Sequence, residues 1–187
     1  MSNAVPNGWN ITTLGEFATV KGGKRLPKGE TFSESKTPYP YIRVTDFNAG
    51  TIEVNNLRYV TNDIREKIKR YTISSTDLYI SIAGTLGLIG EIPCSLNGAL
   101  LTENAAKIIF NDIDKSDKVF FKYYLSSGDA QDHLHQSKGT GGGVPKLALF
   151  RIEDTPVLSP PLPEQQKIAA ILSSVDEVIE KTQAQIN

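Results

Sequence analysis

The chain has 187 residues, 39% hydrophobic and 22% charged, with 20 basic against 21 acidic side chains and a formal net charge of -1. That balance fits one ordinary domain plus an appendage, and it excludes a disordered polyelectrolyte, a membrane-spanning protein and nucleic-acid binding by bulk charge alone. The single cysteine, Cys94, cannot form an internal disulfide, and with His133 and His135 it makes no convincing zinc set. Those histidines sit among Gln131, Asp132 and Gln136 and read as solvated helix face. No apolar run reaches bilayer-spanning length and the N-terminus does not look like a signal peptide, so the expected compartment is cytoplasmic.

In chain order, Gly8 to Val20 mixes Trp9, Ile11, Leu14, Phe17 and Val20 as a short helix or strand, with Thr12 or Thr13 as a candidate cap. The run Lys21-Gly22-Gly23-Lys24-Arg25-Leu26-Pro27-Lys28-Gly29 reads as a loop, with four basic residues and no acidic one. Tyr41-Ile42-Arg43-Val44 is a β-branched strand, 45–50 a turn, and Thr51-Ile52-Glu53-Val54 a second strand that fits the return arm of a hairpin. Asp63 to Tyr71 predicts a charged helix capped by Thr61 or Asn62. Leu78 to Ile82 is a strand, interrupted at 83–87 and resumed at Leu88 to Ile92; Ala105 to Phe110 is another. A helix starts at Lys118 and runs toward Gln136. These short strands with few helices between them define an α+β class, compact and mainly antiparallel.

Near the C-terminus, prolines 160, 161 and 163 predict an extended segment over 156–163, with Pro163 suited to the first turn of a helix from Glu164 to Asn187. Ile168, Ile171, Leu172, Val175, Val178, Ile179 and Ile186 recur at spacings of three and four, a single apolar stripe on a rod of roughly 36 Å. Either the helix folds back on its own domain or the stripe docks a second copy or another subunit.

Three glycine-containing loops carry the chemistry. Lys138, Thr140, Gly142, Gly143 and Lys146 lie in a run whose glycines expose backbone N–H groups between flanking cations, a combination suited to phosphate oxygens. It is neither a Walker A loop nor a dinucleotide fingerprint. Gly84 and Thr85 repeat the theme, as do Lys21, Gly22, Gly23, Lys24 and Arg25. Their best common ligand is a nucleic-acid backbone, while Arg43, Thr45, Asp46 and Asn48 offer side chains able to read base edges. Each loop taken singly also fits an ordinary turn. No catalytic elbow, zincin pair or EF-hand loop is written in the sequence, and the chain reads as a binder with no metal or cofactor of its own.

Taken together, Gly8-Trp9, Leu14-Gly15-Glu16, Gly22-Gly23, Tyr41 to Asp46, Ile80 to Gly87, Gly142 to Leu147 and Pro160 to Ala169 resemble the specificity subunit of type I restriction and modification systems. The resemblance implies a target recognition domain over 1–158 that reads a few base pairs of double-stranded DNA. It also implies a Pro-rich junction and spacer helix over 159–187 that pairs in an antiparallel coiled coil and docks modification subunits. It implies no catalysis in the chain itself: methyl transfer from S-adenosylmethionine belongs to the modification subunit, and ATP-driven translocation and cleavage to the restriction subunit. A full specificity subunit carries two such domains and two helices, and this sequence has one of each. It is therefore expected either to form a homodimer through the helix, as a half-subunit, or to be a piece of a longer protein. Two other functions stay open: the recognition portion of a fused type II restriction and modification enzyme, and an assembly module with little DNA affinity alone.

Overall fold

The computed structural model describes residues 5–136 and 146–186. In chain order the elements are β1 (Asn10–Thr13), β2 (Ala18–Gly22), β3 (Pro40–Ile42), β4 (Phe47–Asn48), β5 (Thr51–Ile52), β6 (Arg58–Tyr59), α1 (Asn62–Ile68), β7 (Leu78–Ser81), β8 (Ile89–Glu91), β9 (Leu100–Leu101), β10 (Ala105–Phe110), α2 (Lys118–Ser126), α3 (Gly128–Gln136), α4 (Leu149–Glu153), β11 (Pro156–Ser159) and α5 (Leu162–Ile186). Four strands form an antiparallel sheet in the order β2-β10-β7-β8. A second sheet, β6-β3-β9, contains a parallel pair between β3 and β9, and β4 and β5 form a hairpin. The class is α+β and mainly antiparallel, with a long C-terminal helix.

Strand β7 shows how the sequence divides the interior. All four of its residues are buried; Leu78 and Ile80 point into one apolar cluster and Tyr79 into another, as the period of two demands. The first cluster lies between the large sheet and α2, which contributes Phe120, Phe121 and Leu125. The second lies between that sheet and the β4–β5 hairpin, where Phe47 stacks on Tyr79 with ring centroids 3.8 Å apart. A third, smaller cluster seats α1 through Ile64 and Ile68.

Several local expectations shift. Thr13 stands at the start of a 3-10 turn but makes no side-chain cap, whereas Thr61 accepts from the Ile64 N–H as an N-cap. The strand at 41–44 ends at Ile42, because Val44–Asp46 closes a 3-10 turn on the Asp46 carboxylate. The hairpin partner of β5 is therefore β4, not β3. The helix from Lys118 does not run unbroken to Gln136: Ser127 is extended, at φ -69° and ψ 158°, and its carbonyl accepts the Gln131 N–H to start α3. The four short elements β6, β9, α4 and β1 have no strong periodicity and depend on distant partners. Strand β1 pairs along its length with β11, joining Asn10 to Ser159 and Thr13 to Pro156.

The extended segment expected over 156–163 ends earlier. Ser159 closes β11, and the helix begins at Leu162, with the Pro161 carbonyl accepting the Glu164 and Gln165 N–H groups. Pro163 sits in the first turn, where no intrahelical N–H is required. Gln165 is 1% exposed and fastens the base of the helix. Its Oε1 accepts the Asp117 N–H at 2.9 Å, and its Nε2 donates to the Lys115 and Pro160 carbonyls at 3.2 and 3.0 Å. Trp9 Nε1 donates to Glu164 at 3.1 Å, and Ala169 and Ile168 pack into the main core. Beyond Ala169 the helix leaves the domain, tied to it by Tyr123, whose hydroxyl donates to Asp176 at 2.7 Å. Ile171, Leu172, Val175, Val178, Ile179 and Ile186 are all exposed. The helix does not fold back on its domain; of the seven stripe residues only Ile168 is drawn inside.

Candidate nucleic-acid interface

The face that gathers the expected binding residues is organised by a stretch that no pattern singled out: Leu101-Thr102-Glu103-Asn104-Ala105, the tight turn joining β9 to β10. Its main-chain groups collect the other loops one by one. The Leu101 carbonyl accepts the Lys24 N–H at 2.8 Å and the Ala105 carbonyl accepts the Gly23 N–H at 2.9 Å. Thr102 N–H donates to the Ile42 carbonyl at 3.0 Å, which sets Arg43 beside the turn. The Asn104 carbonyl accepts the Ile82 and Ala83 N–H groups, and Ile82 in turn accepts the Leu147 N–H, which sets Lys146 alongside. Gly23 is required here by close approach: a Cβ on it would meet the Thr102 oxygen at 2.1 Å and the Leu101 oxygen at 2.4 Å.

Two grooves result, and Glu103 borders both. One is lined by Arg25, Tyr41, Arg43, Thr45, Thr102 and Asn104, together with Leu26, Phe32 and Val44; the other by Gly22, Gly23, Ile82, Lys146 and the Leu147–Leu149 segment. Of the sequence-nominated residues, Gly22, Gly23, Arg25, Arg43, Thr45 and Lys146 thus share one face. Lys21 and Lys24 are exposed beside it, Lys24 with its ammonium 5.8 Å from the centroid of the Tyr71 ring. Gly84 and Thr85 form the exposed β7–β8 turn, Gly84 at a φ of +79° that only glycine adopts without strain. Asn48 is exposed on the β4–β5 hairpin, outside both grooves. Lys138, Thr140, Gly142 and Gly143 lie outside the described residues.

Arg43 and Asp46 take different parts. Asp46 is buried, and its carboxylate accepts the Arg43 backbone N–H at 2.8 Å, Arg43 Nε at 3.1 Å and Arg43 Nη2 at 2.5 Å. Nη2 also donates to the Asn56 carbonyl. Asp46 therefore holds Arg43, while Arg43 Nη1 carries no hydrogen bond among the described residues. A guanidinium clamped this way presents its free edge without losing rotamer entropy on binding.

Arg25 and Glu103 form the second charged pair. Arg25 Nε donates to Glu103 Oε1 at 2.7 Å, and Thr102 Oγ1 donates to Oε2 at 3.0 Å. Partial burial alone would raise the Glu103 carboxyl, but the hydrogen bonds from Arg25 and Thr102 outweigh it and hold it below its ordinary value. The same contact raises the Arg25 guanidinium. Tyr41 supports the wall: its hydroxyl donates to the Lys24 carbonyl at 2.7 Å, and burial pushes it up to about 12. Glu103, Thr102 and Asn104 went unseen in the sequence because nothing periodic marks a single polar turn; its one signal is a Thr-Glu-Asn between two apolar pairs.

His133 and His135, on α3, stand away from this face, His133 in a separate groove beside Tyr124 and Leu158 and His135 exposed. Among the described residues no three His, Cys, Asp or Glu side chains gather as a metal set, and no helix is long and apolar enough to cross a membrane.

Fold and face together describe an α+β domain that carries a projecting helical arm. The chain belongs to the type I restriction modification DNA specificity domain family, whose model matches residues 6–187. It is 24% identical over 183 residues to the type I restriction enzyme EcoBI specificity subunit of Escherichia coli, covering 98% of this chain and 38% of that protein. It is 26% identical over 183 residues to the MjaVIII specificity subunit of Methanocaldococcus jannaschii, covering 97% and 39%. Among solved structures, the HsdS subunit from Thermoanaerobacter tengcongensis superposes with a TM-score of 0.73 at 20% identity, over 98% of this chain and 46% of that one. The type I S subunit from M. genitalium gives 0.62 at 17%, over 98% and 42%. The chain thus spans about two fifths of the length of the curated relatives it matches.

Proposed function

We propose that this chain is a sequence-specific reader of double-stranded DNA, acting as the specificity component of a type I restriction and modification complex. The observation that carries this is the convergence of Arg25, Arg43, Thr45 and Lys146, from three separate stretches, on one face built around the 102–104 turn. Cations at the edge of such a face, Lys21, Lys24 and Lys146, meet phosphates and set register, while the clamped Arg43 and its neighbour Thr45 reach base edges. Gly84, Thr85 and Asn48 belong to the same proposal at its margin, and Lys138, Thr140, Gly142 and Gly143 on their sequence alone. Asp46 contributes by orienting Arg43.

The division of labour follows the chain: 1–158 reads DNA, and 159–187 joins that domain to partners. The exposed stripe from Ile171 to Ile186 supports pairing with an equivalent helix, in a second copy or a second repeat, and docking of a modification subunit, with the restriction subunit joining that assembly. Methyl transfer and cleavage then belong to those partners, which act in the cytoplasm on DNA this chain has selected.

Selection of bound duplexes from a random pool, with and without the modification subunit, tests the reading. Enrichment of a defined motif is expected. No enrichment at low salt with the modification subunit present would sink it. Arg43→Ala should relax preference at one base pair, by about 1–3 kcal/mol, whereas Lys146→Ala should weaken all duplexes alike and lower the salt slope by roughly one.

A further inference from the structure

A carboxylate at the centre of a face otherwise built from donors is the anomaly of this molecule. Glu103 borders both grooves, and the other charged residues lining them are Arg25, Arg43 and Lys146. Against a phosphate backbone it is repulsive, and as part of an ion pair it adds little stability, since the Arg25 side chain is 79% exposed. What a carboxylate does bind on duplex DNA is an exocyclic amino group in the major groove.

We propose that the Arg25–Glu103 pair reads one C·G base pair in the major groove, Glu103 accepting from cytosine N4 and Arg25 donating to the paired guanine. The inference rests on the DNA-reading function above and names the chemistry of that site. Both carboxylate oxygens are fixed beforehand, Oε1 by Arg25 Nε at 2.7 Å and Oε2 by Thr102 Oγ1 at 3.0 Å, and each keeps a lone pair for a further donor. Arg25 spends only Nε on this contact; its Nη groups carry no hydrogen bond among the described residues and match the N7 and O6 acceptors of guanine. The side chains thus present an acceptor and donors side by side, the complement of a C·G edge. Adenine also offers an amino group, but its N7 lone pair stands next to it and faces a carboxylate unfavourably. The neighbour of cytosine N4 on the open side is a C–H. A sequence without the amino group leaves the remaining lone pairs of the Glu103 carboxylate desolvated without a donor, so the pair discriminates by penalty as well as by attraction.

The test uses the whole chain and its selected duplex, with the four base pairs placed in turn at each position and affinity read by titration. For Glu103→Ala, a loss of about 10- to 100-fold is expected on the selected duplex, with preference for C·G flattened at one position and unselected duplexes bound as well as before or better. Arg25→Ala should flatten the same position. Glu103→Gln, which keeps size and folding but pairs with adenine N6 and N7, should move the preferred pair there toward A·T. Uniform tightening on all duplexes by Glu103→Ala would reduce the residue to a phosphate repeller and overturn the proposal. So would an unchanged ranking of base pairs in all three variants while the unaltered chain still selects a motif; that outcome spares the general DNA-reading function. An unaltered chain that ranks every duplex equally overturns both.

Discussion

The two ends of α5 carry the same apolar stripe and live in different surroundings. At the base, Gln165 is 1% exposed and Ala169 is 5% exposed, held by hydrogen bonds and core packing; at the far end Ile186 is 79% exposed. The difference teaches that helical periodicity reports an apolar face without saying whether that face meets its own domain or something else. Here the covering stops after the second turn. The base is a fixed joint, and the rest is offered outward.

This contrast can be broken or sharpened by substitutions stepped along the helix. Gln165→Ala should cost the most, on the order of 3 kcal/mol in chemical denaturation, because it strands the Asp117 N–H and the carbonyls of Lys115 and Pro160 in a buried place. A loss below about 1 kcal/mol would mean that the joint is not fastened there. Ala169→Leu should cost about 1–3 kcal/mol by overfilling the contact with the core. Tyr123→Phe, which removes the last tether to Asp176, should cost about 0.5–1 kcal/mol and leave the core intact. Val175→Ser with Ile179→Ser should change stability by less than about 0.5 kcal/mol at a concentration where the chain is monomeric. The same pair should abolish any concentration-dependent association seen by sedimentation. A large loss of monomer stability from it would contradict the idea of an outward face.

The legible part of the fold was what repeats or alternates locally: α5, β7, β8, β10, the charged helix at α1 and the β5 arm. Partnering across the chain was not legible. Nothing in Asn10–Thr13 announces Pro156–Ser159, and Leu100–Leu101 is too short to declare a parallel pairing with β3. The site divides the same way. Arg25, Arg43 and Lys146 were visible as basic residues near turns, but Glu103 and Gln165 are single polar residues whose meaning comes from what long-range folding puts around them. Its polar loop makes Asp46 a candidate for base contact, and the structure buries its carboxylate against Arg43.

The joint at Gln165 also fixes an angle. Beyond Ala169, residues 170–186 leave the core as a lever of roughly 25 Å at the helical rise, steadied part-way by Tyr123 on Asp176. A tilt of about 5° at its root moves the tip by about 2 Å, less than the 3.4 Å step from one base pair to the next. Three contacts from one glutamine, a single tryptophan brace on Glu164 and the Tyr123 tether to Asp176 therefore set the tolerance of whatever is mounted on the far end. Loosening them would blur distance before it blurred sequence.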